Sequence, residues 1–351
     1  MAITQEEFGR RVDGTIVPRF ELVAEDGLTV GLIPFGAIIT DVSIPAESRH
    51  PVNVVLGLST LDDYVERNKP YFGAVVGRFA GRIGGAEFTL DGTTYRLPAN
   101  DGASCLHGGT VGFGRRLWSV ESIEENQLML RYVSKDGEEG FPGELTTDLV
   151  VGVEQGEIRL EYRATCDAPT VLNLANHTYW NLAGDDSGTV EDHVLSVVAD
   201  RIVPCDAERV PTGDPVPVDG TPFDLRSAAR LGDRVGSKDP FIVDAGGIDH
   251  TFVLADVPRV VPELGATLVD PASGRRLEVW TTEPALQVYT GNDLDGSLRG
   301  PSGVSYERRA GVALETQHFP ASPNHPSYPS TVLRPGEVFL SKTMYRLFSS
   351  V

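Results

Sequence analysis

The sequence predicts an all-β fold, a large sandwich or barrel in a single domain over residues 1–351. Three observations carry that expectation. Short segments of alternating apolar and polar residues recur from one end of the chain to the other. An Asp-Gly pair joins two such segments, and that pair readily takes the positive φ angles of a tight hairpin turn. The 38 Gly and 24 Pro are spread along the chain, and no window holds an amphipathic helical period beyond about three turns.

Thr15 to Ala24, Thr29 to Pro34 and Ile38 to Ile44 read as strands separated by glycine-containing turns. Glu87 to Leu90, Asp91-Gly92 and Thr93 to Leu97 form the hairpin. Further strands are expected at 128–133, 157–165, 276–282, 286–289 and 338–348. Pro204 to Leu225, rich in Pro, Asp and Gly, reads as a long ordered excursion rather than a domain boundary.

Composition excludes several function classes. Hydrophobic content of 40% and charged content of 23% are those of a globular protein. No stretch approaches the roughly 18 uninterrupted apolar residues of a membrane span. The N-terminus, MAITQEEFGRR, shows no basic region followed by an apolar run, so no secretory signal is expected. Three cysteines without a CxxC argue against a disulfide framework or thiolate metal site, and point to a reduced, cytoplasmic setting. A net charge of −20 disfavours nucleic acid and anionic membranes as partners, and tilts towards a neutral substrate.

Six stretches could carry chemistry. In GRFAGRIGG (77–85) the glycines let backbone approach a ligand, and Arg78 and Arg82 each offer a fork of donors to hydroxyls or carboxylates, or else pair with acidic neighbours. A phosphate-binding loop is disfavoured, because the Lys-Ser/Thr pair is missing. His107 stands against paired glycines in LHGG, facing a ligand or simply the surface. In NLANHTYWNL (173–182) alternation puts Asn173, Ala175, His177, Tyr179 and Asn181 on one face, provided no bulge intervenes. Rings and amides suit a sugar surface there, or an edge strand with a satisfied histidine. Asp249 in GIDH could accept two hydroxyl protons, and Gln287 in LQVYTGN could donate and accept.

The sixth stretch, 311–337, begins as a strand and ends in a proline-studded turn region. Val312, Leu314 and Thr316 fall on one face, and Ala313, Glu315 and Gln317 on the other. Glu315 is either solvent-facing on a half-exposed sheet or a general base. Seven histidines without HxH, HExxH or a His–Cys cluster give no local support for a metal, and no GxSxG supplies a serine nucleophile.

In their order along the chain these blocks resemble the aldose 1-epimerase (mutarotase) family, from about Gly73 almost to the C-terminus. The resemblance implies the galactose mutarotase-like supersandwich, a large antiparallel β-sandwich with few short helices. It implies interconversion of the α and β anomers of a free aldohexose such as galactose or glucose, with no cofactor and no metal, in a monomer or homodimer. By position, Glu315 matches the base, His177 the acid that protonates the ring oxygen, and Arg82, His107, Asp249 and Gln287 the sugar-hydroxyl ligands. Gly81 stands where the family often has Asn, Trp180 where Phe is usual, and Ala321 where Asp is common. These departures bear on the preferred sugar more than on the reaction. A hexose-6-phosphate or specialised-sugar epimerase, a glycosidase using Asp249 with Glu315, and a non-catalytic carbohydrate-binding protein stay open as alternatives.

Overall fold

The computed structural model describes residues 2–45 and 50–349. Its strands fall mainly into three antiparallel sheets. Five strands from Ala2–Arg10 to Val52–Asn53 pair in chain order. A nine-stranded sheet is centred on Glu157–Cys166, Phe339–Phe348 and Arg276–Thr281. A six-stranded sheet runs in the order Tyr179–Trp180, Val312–Gln317, Ala285–Tyr289, Asp249–Val253, Arg201–Val203, Val216–Pro217. The three α-helices among the described residues have five or six residues each. The all-β sandwich expected from the sequence is the observed architecture.

The hairpin at Asp91-Gly92 forms as its turn chemistry dictates: φ is +49° at Asp91 and +79° at Gly92, and Leu90 pairs with Thr93. Other strands lacked a readable signal. Leu145–Glu154 and Asp249–Val253 are buried on both faces, so neither shows a clean period of two. Ala2–Arg10 is a largely exposed edge strand with little apolar pattern. NLANHTYWNL is not one strand. It breaks into Ala175–Asn176 and Tyr179–Trp180, which pair with different strands, while Asn173 bridges to Phe79.

The core lies where the sheets face each other. Val312 and Leu314 join Leu149, Val151 and Leu160 of the nine-stranded sheet in one apolar cluster, and Thr316 Oγ1 reaches across to Thr343 Oγ1 at 2.6 Å. Each such apolar side chain stabilises the fold by about 1.5–3 kcal/mol. The anchored face forces the other face, with Glu315 and Gln317, towards the opposite side of the sheet. All six residues of Val312–Gln317 are buried, so the half-exposed alternative for Glu315 is wrong: this strand is central, with neighbours on both edges and material over both faces.

Candidate active site

Over that second face lies a cavity of about 230 Å³, lined by Arg82, His107, His177, Asp249, Gln287 and Glu315 among others. Six residues singled out far apart in sequence therefore share one wall. Glu315 and Gln287 are register partners on adjacent strands, and Gln287 is in turn the partner of Thr251. A hydrogen-bond chain fixes this wall. Thr251 Oγ1 donates to Gln287 Oε1 at 2.5 Å, and Gln287 Nε2 donates to Asp249 Oδ1 at 2.6 Å.

His177 enters from a connection between two short strands. Its N–H donates to Ala74 O at 2.8 Å, and its carbonyl accepts from Gly73 N at 3.1 Å. Its Nε2 lies 3.5 Å from Glu315 Oε1. Glu315 is 2% exposed and His177 5%, and neither Glu315 Oε2 nor His177 Nδ1 has a partner among the described residues. Burial pushes the Glu315 carboxyl well above its ordinary range, reinforced by Asp249 and opposed by Arg82. Burial holds His177 down at about 4. Both groups thus favour their neutral forms. A base at Glu315 and an acid at His177 call for the other placement of the same single proton.

His107 stands on a left-handed backbone, φ +52°, packed so closely on Gly77 that a Cβ at Gly108 would lie 1.9 Å from the Gly77 carbonyl oxygen. Burial, His177 and Arg82 push its pKa well below the ordinary value. Its Nδ1 accepts from Gly81 N–H at 3.2 Å, which leaves Nε2–H as the donor. Arg82 is tied through Nε to Asp101 Oδ2 at 2.7 Å.

Several expectations are corrected. Arg78 is no ligand: it is 2% exposed and donates to the carbonyl oxygens of Pro142, Gly143, Ser134 and Lys135. The amides of Asn173 and Asn181 face no sugar surface, since Asn173 Nδ2 bonds the carbonyls of Ala80 and His318, and Asn181 Nδ2 those of Gly188 and Ala310. Trp180 packs on Tyr345 in the core, ring centroids 5.0 Å apart, so the Phe-to-Trp departure does not touch the cavity. Pro320 at the start of the proline-rich segment does line it, and a Cβ at Gly81 would meet Pro320 at 3.0 Å.

The wall holds residues beyond these six. Tyr71 packs edge-on against His107 at 4.8 Å, and Tyr179 lies 5.0 Å from the His177 ring; rings in such places suit the C–H face of a sugar. Gln317, which alternation puts on the same face as Glu315, is buried with both amide heteroatoms unpartnered. Arg209 reaches in from the 204–225 excursion, where no local signal marked it. Donor atoms of His107, His177 and Glu315 lie within 4.8 Å of one another, close enough for a metal ion. Among the described residues, no helix is long and apolar enough to cross a membrane.

Two groups placed to exchange protons, with rings and hydroxyl-matching groups around them, suit chemistry on a polyol, and the class that fold and site define is a carbohydrate epimerase. The family model described as aldose 1-epimerase matches residues 18–346. Galactose mutarotase of Rattus norvegicus is 40% identical over 347 residues, covering 99% of this chain and 98% of that protein. Aldose 1-epimerase of Escherichia coli (strain K12) is 34% identical over 332 residues, 92% and 93% of the two chains. Among solved structures, an aldose epimerase homologue from C. elegans superposes with a TM-score of 0.87 at 30% identity, over 95% of this chain and 100% of that one. Galactose 1-epimerase from Lactobacillus acidophilus NCFM gives 0.85 at 26% identity over the whole of both. The chain belongs to the aldose 1-epimerase family.

Proposed function

We propose that this protein interconverts the α and β anomers of a free aldohexose such as galactose or glucose, with Glu315 and His177 as the acid–base pair. The observation that carries the reading is the 3.5 Å approach of His177 Nε2 to Glu315 Oε1 inside a cavity of hexose size. With the sugar seated, ionised Glu315 takes the proton from the C1 hydroxyl and protonated His177 gives its own to the ring oxygen. The C1–O5 bond breaks and C1 becomes an aldehyde carbon. Rotation about C1–C2 turns the other carbonyl face to O5, and the reverse transfers close the ring. Each positioned proton transfer contributes about 10²–10⁴-fold. Arg82, His107, Asp249 and Gln287 hold the remaining hydroxyls while C1 turns. The hydroxyl-rich substrate, with Arg82 nearby, favours the ionised placement of the shared proton over the neutral one.

A neutral sugar suits this wall better than a phosphorylated one. Arg82 is bonded to Asp101, and Arg209 to Asp249 and Asp293, so neither presents an uncompensated charge to a phosphate. No cofactor or metal is assigned a step. The shared core cluster, from Phe20 to Leu347, supports reading residues 1–351 as one domain. Three free cysteines support a reduced, cytoplasmic setting, and the acidic charge a protein without nucleic-acid or membrane partners, as monomer or homodimer.

Polarimetry on freshly dissolved α-galactose, α-glucose and other free aldoses, with glucose 6-phosphate and aryl glycosides in parallel, tests the reading. Fast mutarotation of a free aldose supports it. Turnover confined to the phosphate ester, release of sugar from the glycosides, or binding without turnover would each replace it with one of the rival readings.

A further inference from the structure

The excursion after Arg201–Val203 folds back on itself at the rim of the cavity. Cys205 bridges to Pro211, Asp206 N–H donates to Val210 O at 3.0 Å, and Asp206 Oδ1 accepts from the N–H groups of Glu208 and Val210. At its tip Arg209 takes a left-handed backbone, φ +63°, which a side chain of this size adopts when its surroundings hold it there. Two contacts do so. Val210 leans on Gly84 so closely that a Cβ at that glycine would lie 2.7 Å from Val210 Cγ1. On the far side, Arg209 Nη1 donates to Asp249 Oδ2 and Asp293 Oδ2, each at 3.1 Å. Asp293 is itself fixed, accepting from Tyr289 OH at 3.1 Å and donating its N–H to that hydroxyl at 2.9 Å. The tip therefore spans from the loop that carries Arg82 to the ends of the strands that carry Asp249 and Tyr289.

We infer that Arg209 is a substrate-positioning and specificity residue: it holds Asp249 in one orientation and offers its remaining N–H groups to hydroxyl oxygens at the outer edge of the bound sugar. The argument is one of donors and charge. A guanidinium has five N–H groups in a fixed plane, and Nη1 spends its two on the carboxylates. Nε and Nη2 have no hydrogen-bond partner among the described residues, and the side chain lines the cavity. Flanked by two carboxylates, the cation carries no surplus charge, so the oxygens it selects are neutral hydroxyls rather than a phosphate or carboxylate. With Oδ1 held by Gln287 and Oδ2 by Arg209, Asp249 presents its remaining lone pairs in a set direction.

This inference rests on the sugar-epimerase reading, and the test separates the two. Arg209→Met and Arg209→Lys are compared with the unaltered chain by calorimetric binding of galactose and by polarimetric kcat and KM, on galactose and on its single-deoxy analogues. Arg209→Met is expected to raise Kd and KM about tenfold or more, the loss of one charge-assisted bond, with kcat within about threefold. The lysine variant recovers part of the loss. One deoxy analogue binds the unaltered chain weakly yet loses nothing further in Arg209→Met, marking the hydroxyl that the arginine holds. Kd and KM within twofold of the unaltered protein, or a loss equal for every analogue, would overturn the inference. Galactose binding without mutarotation would sink the epimerase reading while the calorimetric ratios still decided the role of Arg209. No binding and no turnover of any aldose would overturn both.

Discussion

His177 Nε2 and Glu315 Oε1 approach to 3.5 Å although the two residues lie far apart in sequence, and both groups are almost wholly buried. A buried carboxyl beside an imidazole, each with one heteroatom unpartnered, is costly to hold in a fold. Its persistence on a central strand, with Leu314 and Val312 anchored behind it in the core, is what an acid–base function explains.

Glu315→Gln keeps the side-chain volume and removes the carboxylate proposed as the base. Mutarotation should fall by about 10²–10⁴-fold, while galactose affinity by calorimetry stays within a few-fold. Undiminished polarimetric rates in this variant would remove Glu315 from the mechanism.

The two shifts also set a pH profile. The pair works while it holds one proton in total. Below the lower of its two macroscopic pKa values it gains a second proton and the base is lost; above the upper it has none and the acid is lost. Burial holds His177 at about 4 and raises Glu315 well above its ordinary value, so the one-proton window opens near 4 and extends above the usual carboxylate range. The acidic limb of kcat/KM should bend nearer 4 than the usual histidine value of about 6.5, and the alkaline limb above the usual carboxylate range. An acidic midpoint at the ordinary histidine value would show that His177 is not held neutral.

What the sequence could convey was whatever local pattern encodes. Alternation placed Glu315 and Gln317 on the face opposite Val312 and Leu314, and Asp-Gly chemistry placed the hairpin turn, as found. Burial was not encoded locally. Burial of Glu315 could not be read locally because covering residues such as Tyr71 and Leu106 come from distant segments. Arg78 and Arg82, four residues apart, were indistinguishable by composition. Only the fold turns one into the carbonyl-rich turn near Pro142 and the other into the cavity. The single face read from Asn173 to Asn181 failed because the chain changes partner strand within it, from Val75–Val76 to Val312–Gln317.

The cluster of His107, His177 and Glu315 carries its own expectation. Its donor atoms, within 4.8 Å of one another, can take a zinc ion, which would occupy the acid and the base together. Added zinc should inhibit mutarotation competitively with galactose, and a chelator should restore the full rate. A protein dialysed against chelator should keep its activity. A rate that fell on dialysis and returned with a metal would mean the reaction needs the ion.

Arg78 gives the last prediction, on stability. Its guanidinium donates to Pro142 O at 2.9 Å, Gly143 O at 2.7 Å, Ser134 O at 3.1 Å and Lys135 O at 3.1 Å, pinning two turns against the 77–85 loop. Arg78→Met fills much of the volume and satisfies none of those carbonyls. Each buried acceptor left unpaired costs about 1–3 kcal/mol, partly offset because a buried arginine is itself costly to desolvate, so a net loss of about 3 kcal/mol is expected from denaturant unfolding. The folded fraction should keep its KM for galactose, because the side chain stands outside the cavity wall. A variant of unchanged stability but raised KM would return Arg78 to the list of sugar ligands.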